Sequence, residues 1–250
     1  MNNLSLALTF SLVAVAVVIS RKEKIGLEKD LLVGSLRAVI QLSLIGLVLK
    51  FVFNVNNEAL TATILVVMVF NAATVAAKRG AGIGNALVIS FFAILAGLAI
   101  TLGGLIGFHA VSFRPGEVIP VSGMVVGNSM VALGLLYRDL RGGFEARREE
   151  VEVKLCLGAT PREAARTLIR KSIRTAMQPT IDFMKTLGIV QLPGTMTGLI
   201  LAGTPPETAI KYQIMVAFML TGAVTISAFV ASYWAYRSFF NDMAQLVSER

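Results

Sequence analysis

One cysteine and one histidine are all that this 250-residue chain offers for thiol or imidazole chemistry. Cys156 alone excludes an internal disulfide and a cysteine-based zinc site within a single chain. His109 has no carboxylate or thiolate pattern beside it and reads as a loop residue rather than a ligand. Charge is scarce too. Charged residues make up 15% of the chain against 55% hydrophobic, and the mean hydropathy is +0.74. A chain this apolar cannot hide its surface in one soluble core, so the composition predicts an all-α, polytopic membrane protein forming one transmembrane domain over residues 1–250. Proline is missing before Pro115, the first of seven. The first four apolar runs therefore carry no proline kink. G-x-x-x-x-G-K-[ST], H-E-x-x-H and G-x-S-x-G patterns are absent, which predicts a non-catalytic chain that binds no cofactor itself. Acids are missing from the interiors of the apolar runs, Glu117 and Asp182 standing at or near their ends. Ion-coupled carriers commonly use an acid at mid-membrane, so energy for transport is expected from another protein.

What is present is a series of apolar runs separated by basic loops. Seven spans are expected: Leu4–Ser20, Leu31–Phe53, Ala59–Ala77, Asn85–Phe108, Glu117–Tyr137, Thr186–Thr204 and Thr208–Tyr236. The first lacks positive charge before it and carries Arg21, Lys22 and Lys24 after it, the reverse of a secretory signal. Of the 23 Lys and Arg residues, only Arg37, Lys50, Arg114 and Lys211 fall outside the segments this scheme leaves in the cytoplasm. That bias places the N-terminus outside and the C-terminus in the cytoplasm of a cell membrane, the inner one where there are two. The net charge of +8 is thus explained by topology and the lipid bilayer, with no nucleic acid required. Gly80-Ala81-Gly82-Ile83-Gly84 follows an apolar helix rather than a strand and reads as a flexible turn.

The longest polar stretch, about residues 138–185, holds eleven of the positive charges and is expected in the cytoplasm between spans five and six. Arg148 with Glu152 and Glu150 with Lys154 are i, i+4 pairs that favour helix over the alternating pattern of Val151, Val153, Leu155 and Leu157. Gly158 closes this element. Thr160, Pro161 and Glu163 then open a second helix with a capping-box pattern. Along it Ala165, Leu168, Ile169, Ser172, Ile173 and Ala176 form an apolar stripe, beside Arg162, Arg166, Arg170 and Arg174 at four-residue intervals. Glu152, Gly158, Thr160, Pro161, Glu163, Arg166, Arg170 and Arg174 are the candidates for docking a soluble partner. The alternative is a basic helix resting on lipid headgroups.

Polar groups inside the apolar runs are the candidates for a translocation path: Arg37 and Gln41 one turn apart in span two, Asn71, then Asn128, Ser129 and Met130 in span five. Gln191 and Met196 flank Pro193-Gly194, which is expected to kink or break span six around a cavity. Gly103/Gly107, Gly123/Gly127 and Gly194/Gly198 have spacings that permit close helix approach. No residue here demands a metal.

The runs SRKEKIGLEKDLL, IPVSGMVVGNSMVALGL, KLCLGATPREA, QPTIDFMKTLGIVQLPGTMTGLILAG and AIKYQIMVAFML together resemble the ABC-transporter permeases of the FetB type, iron exporters, and the similar plant aluminium-tolerance permeases. The resemblance covers nearly the whole chain. It implies a metal-exporting permease, a homodimer paired with two cytoplasmic ATP-binding cassette subunits that bind ATP and Mg. The importer signature E-A-A-x-x-x-G is only half present: Glu152 and Gly158 are spaced for it, but Val153 and Lys154 replace the alanines. The competing reading is an integral-membrane scaffold or receptor that recruits a partner through its basic loop.

Overall fold

In the computed structural model, residues 3–55 and 57–247 are described; Met1, Asn2, Asn56 in the expected turn after span two, and Ser248, Glu249 and Arg250 lie outside them. The chain divides at Asn57 into two compact units. The N-terminal unit is a helical hairpin of α1 (Asn3–Lys22) and α2 (Glu28–Val55). Lys24 and Gly26 take positive φ in its turn. Ser20 pins that turn, donating to Glu28 Oε1 at 3.0 Å and accepting from the Leu27 amide at 3.1 Å. Leu36, Leu42, Leu47 and Phe51 of α2 are all exposed, and Val52 is its one buried residue among those described. A helix so apolar and so open is built for hydrocarbon rather than water.

The second unit contains α3 (Glu58–Arg79), α4 (Ala86–Gly107), α5 (Pro115–Ala146), α6 (Arg148–Cys156), α7 (Pro161–Thr186), α8 (Gly194–Leu201) and α9 (Pro206–Ala235), followed by a short 3-10 turn, Tyr236–Phe239. Among the described residues, α2, α3, α4, α5 and α9 are long and apolar enough to cross a membrane. Packing among α4, α5 and α9 uses small polar groups. Ser90 and Tyr137 share a buried 2.8 Å hydrogen bond between α4 and α5, and Ser227 donates to Ser129 at 3.2 Å between α9 and α5. At Gly97 the backbones of α4 and α9 come close: a Cβ there would lie 2.8 Å from the Ala223 carbonyl oxygen.

Several expectations are corrected here. The pairs Gly103/Gly107 and Gly194/Gly198 have open space around them, and of the α4 glycines it is Gly97 that meets a neighbouring helix. The turn after α3 is packed rather than loose, because Gly80 is buried with Tyr137 Cδ2 only 2.9 Å from where its Cβ would be. Thr186–Thr204 is not one span. Helix α7 continues to Thr186, an irregular stretch with Gly188 at φ 77° follows, and α8 is only 8 residues long with none buried. Pro193 caps α8, and its fixed φ and missing amide end the irregular stretch there.

Helix α7 runs antiparallel along α9. The Arg162 guanidinium lies 5.2 Å above the Tyr233 ring near the end of α9, and Thr221, near the middle of that 30-residue helix, donates to Met184 Sδ at 2.7 Å. The last two turns of α7, with Asp182 and Lys185, therefore stand level with the centre of an apolar span, although both were expected at its edge. The expected apolar stripe is the reason: Ala165, Leu168, Ile169, Ser172 and Ala176 are buried, holding α7 against α5 and α9 along its length.

Candidate functional site

The break between α7 and α8 opens onto a cavity of about 420 Å³ bounded by α5, α7, α8 and α9. Its polar groups are amides and hydroxyls: Asn128 from α5, Thr180 from α7, Thr195 from α8 and Gln213 from α9, with Met124 and Phe183 among the apolar walls. Pro179 sits inside α7 at the cavity wall, removing the amide that would have bonded the carbonyl one turn earlier. Gln213 is 4% exposed. Its Oε1 accepts from Thr195 Oγ1 at 2.6 Å, while its Nε2 has no hydrogen-bond partner. A buried amide donor left unpaired costs free energy unless a ligand or a water completes it. With either orientation of the amide, one of its two polar atoms is left buried and unpaired beside the cavity.

The residues singled out from the sequence are distributed unevenly around this site. Asn128 lines it, its Nδ2 held by the Met124 carbonyl at 2.8 Å so that Oδ1 is left for the cavity. Ser129, next in sequence, faces the other way and is buried against Ser227. Its hydroxyl joins α5 to α9. Met130 packs half-buried on the core. Gln191 is exposed in the irregular stretch and donates to Thr186 Oγ1 at 3.0 Å; Met196 is half-buried on α8. Asn71 is exposed on α3, and Arg37 and Gln41 are exposed on α2 within the N-terminal unit. Gln213, Thr180 and Thr195 were missed, although a lone glutamine in the apolar run of α9 was a signal available to be read. Among the described residues, no group of three or more His, Cys, Asp or Glu could hold a metal ion.

At the opposite pole lies the bend. The carbonyls of Lys154 and Leu155 accept from Ala159 and Gly158 at 3.0 and 2.9 Å, and Gly158 has φ 88°, the left-handed closure expected of a helix C-terminus. The capping box of α7 is complete: Thr160 Oγ1 accepts from the Glu163 amide at 3.4 Å, and Glu163 Oε2 accepts from the Thr160 hydroxyl and amide at 2.7 and 2.9 Å. Those two bonds, the hydroxyl's first, hold the Glu163 carboxyl below its ordinary range. In α6, Arg148 bonds Glu152 at 2.8 Å and Lys154 bonds Glu150 at 2.7 Å. The hydrogen bond and charge of Lys154 likewise lower the Glu150 carboxyl. Outward from this frame project Val153 and Leu157, 58% and 83% exposed, with Arg166, Arg170 and Arg174 exposed on α7.

Thr160→Ala should lower the melting temperature by about 2–4 °C, the usual cost of a lost N-cap in a chain of this size, measured on detergent-solubilised protein. Because the folded Glu163 pKa is depressed, its contribution is fully present above the ordinary carboxylate range and is lost only as pH falls through the lowered value. The difference between Thr160→Ala and the parent chain should therefore be constant from pH 6 to 8; a difference varying across that window would contradict the assignment.

Comparison with known proteins agrees with the membrane architecture. Residues 3–240 match the family described as Uncharacterised protein family (UPF0014). The chain is 49% identical over 245 residues to the "Probable iron export permease protein FetB" of Escherichia coli (strain K12), covering 98% of this chain and 95% of that one. It is 39% identical to the "UPF0014 membrane protein STAR2" of Oryza sativa subsp. japonica, covering 94% and 83%. To "Protein ALUMINUM SENSITIVE 3" of Arabidopsis thaliana it is 36% identical, covering 94% and 86%. No solved structure matches.

Proposed function

From its membership of the UPF0014 family of multi-pass membrane proteins, we propose that this chain is the permease subunit of an ATP-binding cassette transporter that exports a metal ion. Iron is the first cargo to test, given the name of the bacterial relative. Two copies of the permease work with two separate cytoplasmic subunits, which bind ATP and Mg and hydrolyse the nucleotide.

The observation that carries this reading is the interrupted α7–α8 segment, whose break opens beside an unpaired buried amide at Gln213. An anchor or receptor gains nothing from a broken helix and an unsatisfied donor at that depth, whereas a carrier needs polar groups that its cargo can complete. The cavity meets a metal with neutral oxygen, amide and thioether groups, so affinity there is modest and release is easy. The second support is the bend. A rigid, doubly capped turn displaying exposed Val153 and Leu157 amid arginines suits a helix pushed by a soluble partner.

The test is co-expression with the ATP-binding cassette subunit encoded by the same genome, followed by co-purification and ATPase assay in nanodiscs with ferrous and ferric iron. The parent chain should retain the subunit and show metal-stimulated hydrolysis. Gly158→Val should remain inserted but lose most of the bound subunit, because a β-branched residue resists φ 88° and re-aims α6. Failure of the parent chain to retain any such subunit would refute the transporter reading.

A further inference from the structure

Helix α7 has a second face, opposite the buried one. Thr167, Lys171, Arg174, Gln178, Asp182 and Lys185 are all exposed. At about 100° per residue they fall within one sector of the helix, a polar stripe that runs its whole length. The cytoplasmic part of the stripe is unremarkable: Lys171 lies 3.7 Å from Asp139, and water can solvate the rest. The inner part is different. Met184 and Phe183 contact the middle of α9 through Thr221 and the cavity wall. Asp182 and Lys185 therefore stand level with the middle of α9, a helix long and apolar enough to cross the membrane, on the side that α5 and α9 leave uncovered.

Asp182 accepts from Gln178 Nε2 through both carboxylate oxygens, at 2.9 and 3.0 Å. No ion pair is found for Asp182 or Lys185 among the described residues. Facing hydrocarbon, a carboxylate and an ammonium at this depth are strongly disfavoured; ionisable groups inside a membrane face protein or a water-filled passage. Something polar must cover this stripe.

We propose that it is covered by a second copy of this chain, with α7 packed on α7 and Asp182 of each copy paired with Lys185 of the other. Charge complementarity selects this occupant. Two copies inserted with the same orientation are related by a two-fold axis along the membrane normal, so their α7 helices run parallel and each residue meets its own neighbours. Asp182 and Lys185 are separated by about 4.5 Å along the helix, an offset that a lysine side chain spans. A symmetric pair then satisfies both charges of both copies at once. Gln178 holds each carboxylate at the seam. The cavities beside Gln213 lie on the far side of α7 from the stripe, so this contact leaves them open and makes α7 the shared wall between two cargo sites. The inference rests on the two-copy permease proposed above, and names its seam.

The experiment uses the full chain in native membranes, without ATPase subunit or cargo, in a Cys156→Ser background. Gln178→Cys should form an oxidation-dependent species of twice the chain mass. Asp182→Lys and Lys185→Asp, each alone, should lower the dimer fraction of cross-linked, detergent-extracted protein by about tenfold, through like-charge contact at the seam. The double variant Asp182→Lys/Lys185→Asp should restore it to within about twofold, since the swap recreates the same pairs. The double variant also guards against misfolding, because two unrelated lesions would not repair each other. The proposal is overturned if Gln178→Cys stays monomeric, whether a lipid-soluble probe reaches it or the chain's own N-terminal unit shields it. It is equally overturned if the double variant dissociates as the single ones do. An absent ATPase partner would refute the transporter reading and leave these readouts unaffected.

Discussion

Gly97→Val should leave almost no folded protein in the membrane. A Cβ at this position falls on Ser227 Oγ and 2.8 Å from the carbonyl oxygen of Ala223. The serine can turn aside, but the carbonyl belongs to the backbone of α9, which is buried here at Ala223, Val224, Ser227 and Ala228. To admit even alanine, α4 and α9 must separate, and that shift is transmitted to Ser227–Ser129, the bond joining α9 to α5. Overpacking of a close-packed interior by one methyl costs about 1–3 kcal/mol, and valine adds two more carbons, branched at the point of contact. Fluorescence-detected size exclusion of a tagged chain should show a folded peak for Gly97→Ala at reduced melting temperature and none for Gly97→Val. Gly103→Ala serves as the control, because nothing lies within 4 Å of that position. Adding Ser227→Ala to Gly97→Ala should recover little, since the carbonyl contact remains. A normal peak for Gly97→Val would mean that α4 and α9 are not in the contact described.

The contrast between Gly97 and Gly103/Gly107 shows where sequence reasoning stops. Four-residue spacing of glycines identifies a smooth face, but not which neighbour occupies it; Gly97 has no partner glycine at that interval and could be recognised only from α9. Features set by adjacent residues were fully legible. The Thr160–Glu163 capping box, the positive φ at Gly158 and the i, i+4 pairs of α6 all involve groups within a few positions of one another, and backbone sterics alone dictate them. The apolar stripe of α7 was legible as well. Its depth was not. Counting eleven cations between Arg138 and Lys185 equates charge with water, whereas an amphipathic helix can carry a polar face inward if its other face is gripped by α5 and α9. Asp182 and Lys185 were misplaced for that reason. Asn128 and Ser129 failed to separate for a simpler one: adjacent helix positions point about 100° apart, and only the surrounding helices decide which of the two meets a cavity.

Gln213→Leu should yield a protein that is as stable as the parent or more so, and that no longer responds to cargo. The parent buries an amide donor with no acceptor, a penalty of about 1–3 kcal/mol. Leucine is close in size and removes that donor, at the expense of the 2.6 Å bond from Thr195, whose hydroxyl borders the cavity and can turn into it. The melting temperature should therefore stay level or rise by a few degrees. In the transporter proposed above, metal-stimulated ATP hydrolysis should fall at least about tenfold, the loss expected when one hydrogen-bonding or coordinating group in a buried site is removed. Stability maintained with function lost is the pattern of a residue retained for its ligand. Gln213→Glu then reads the chemistry of the contact. The carboxylate keeps an acceptor for Thr195 and replaces the free donor by negative charge, which strengthens the hold on a bare cation and repels a cargo that presents oxygen acceptors. Tighter metal binding in Gln213→Glu with slower turnover identifies direct coordination by this side chain, and abolished binding identifies a metal carried inside an anionic complex. If Gln213→Leu instead unfolds the protein, the amide is structural; if it hydrolyses ATP in response to metal as the parent does, the cavity at the α7–α8 break is not where cargo is held.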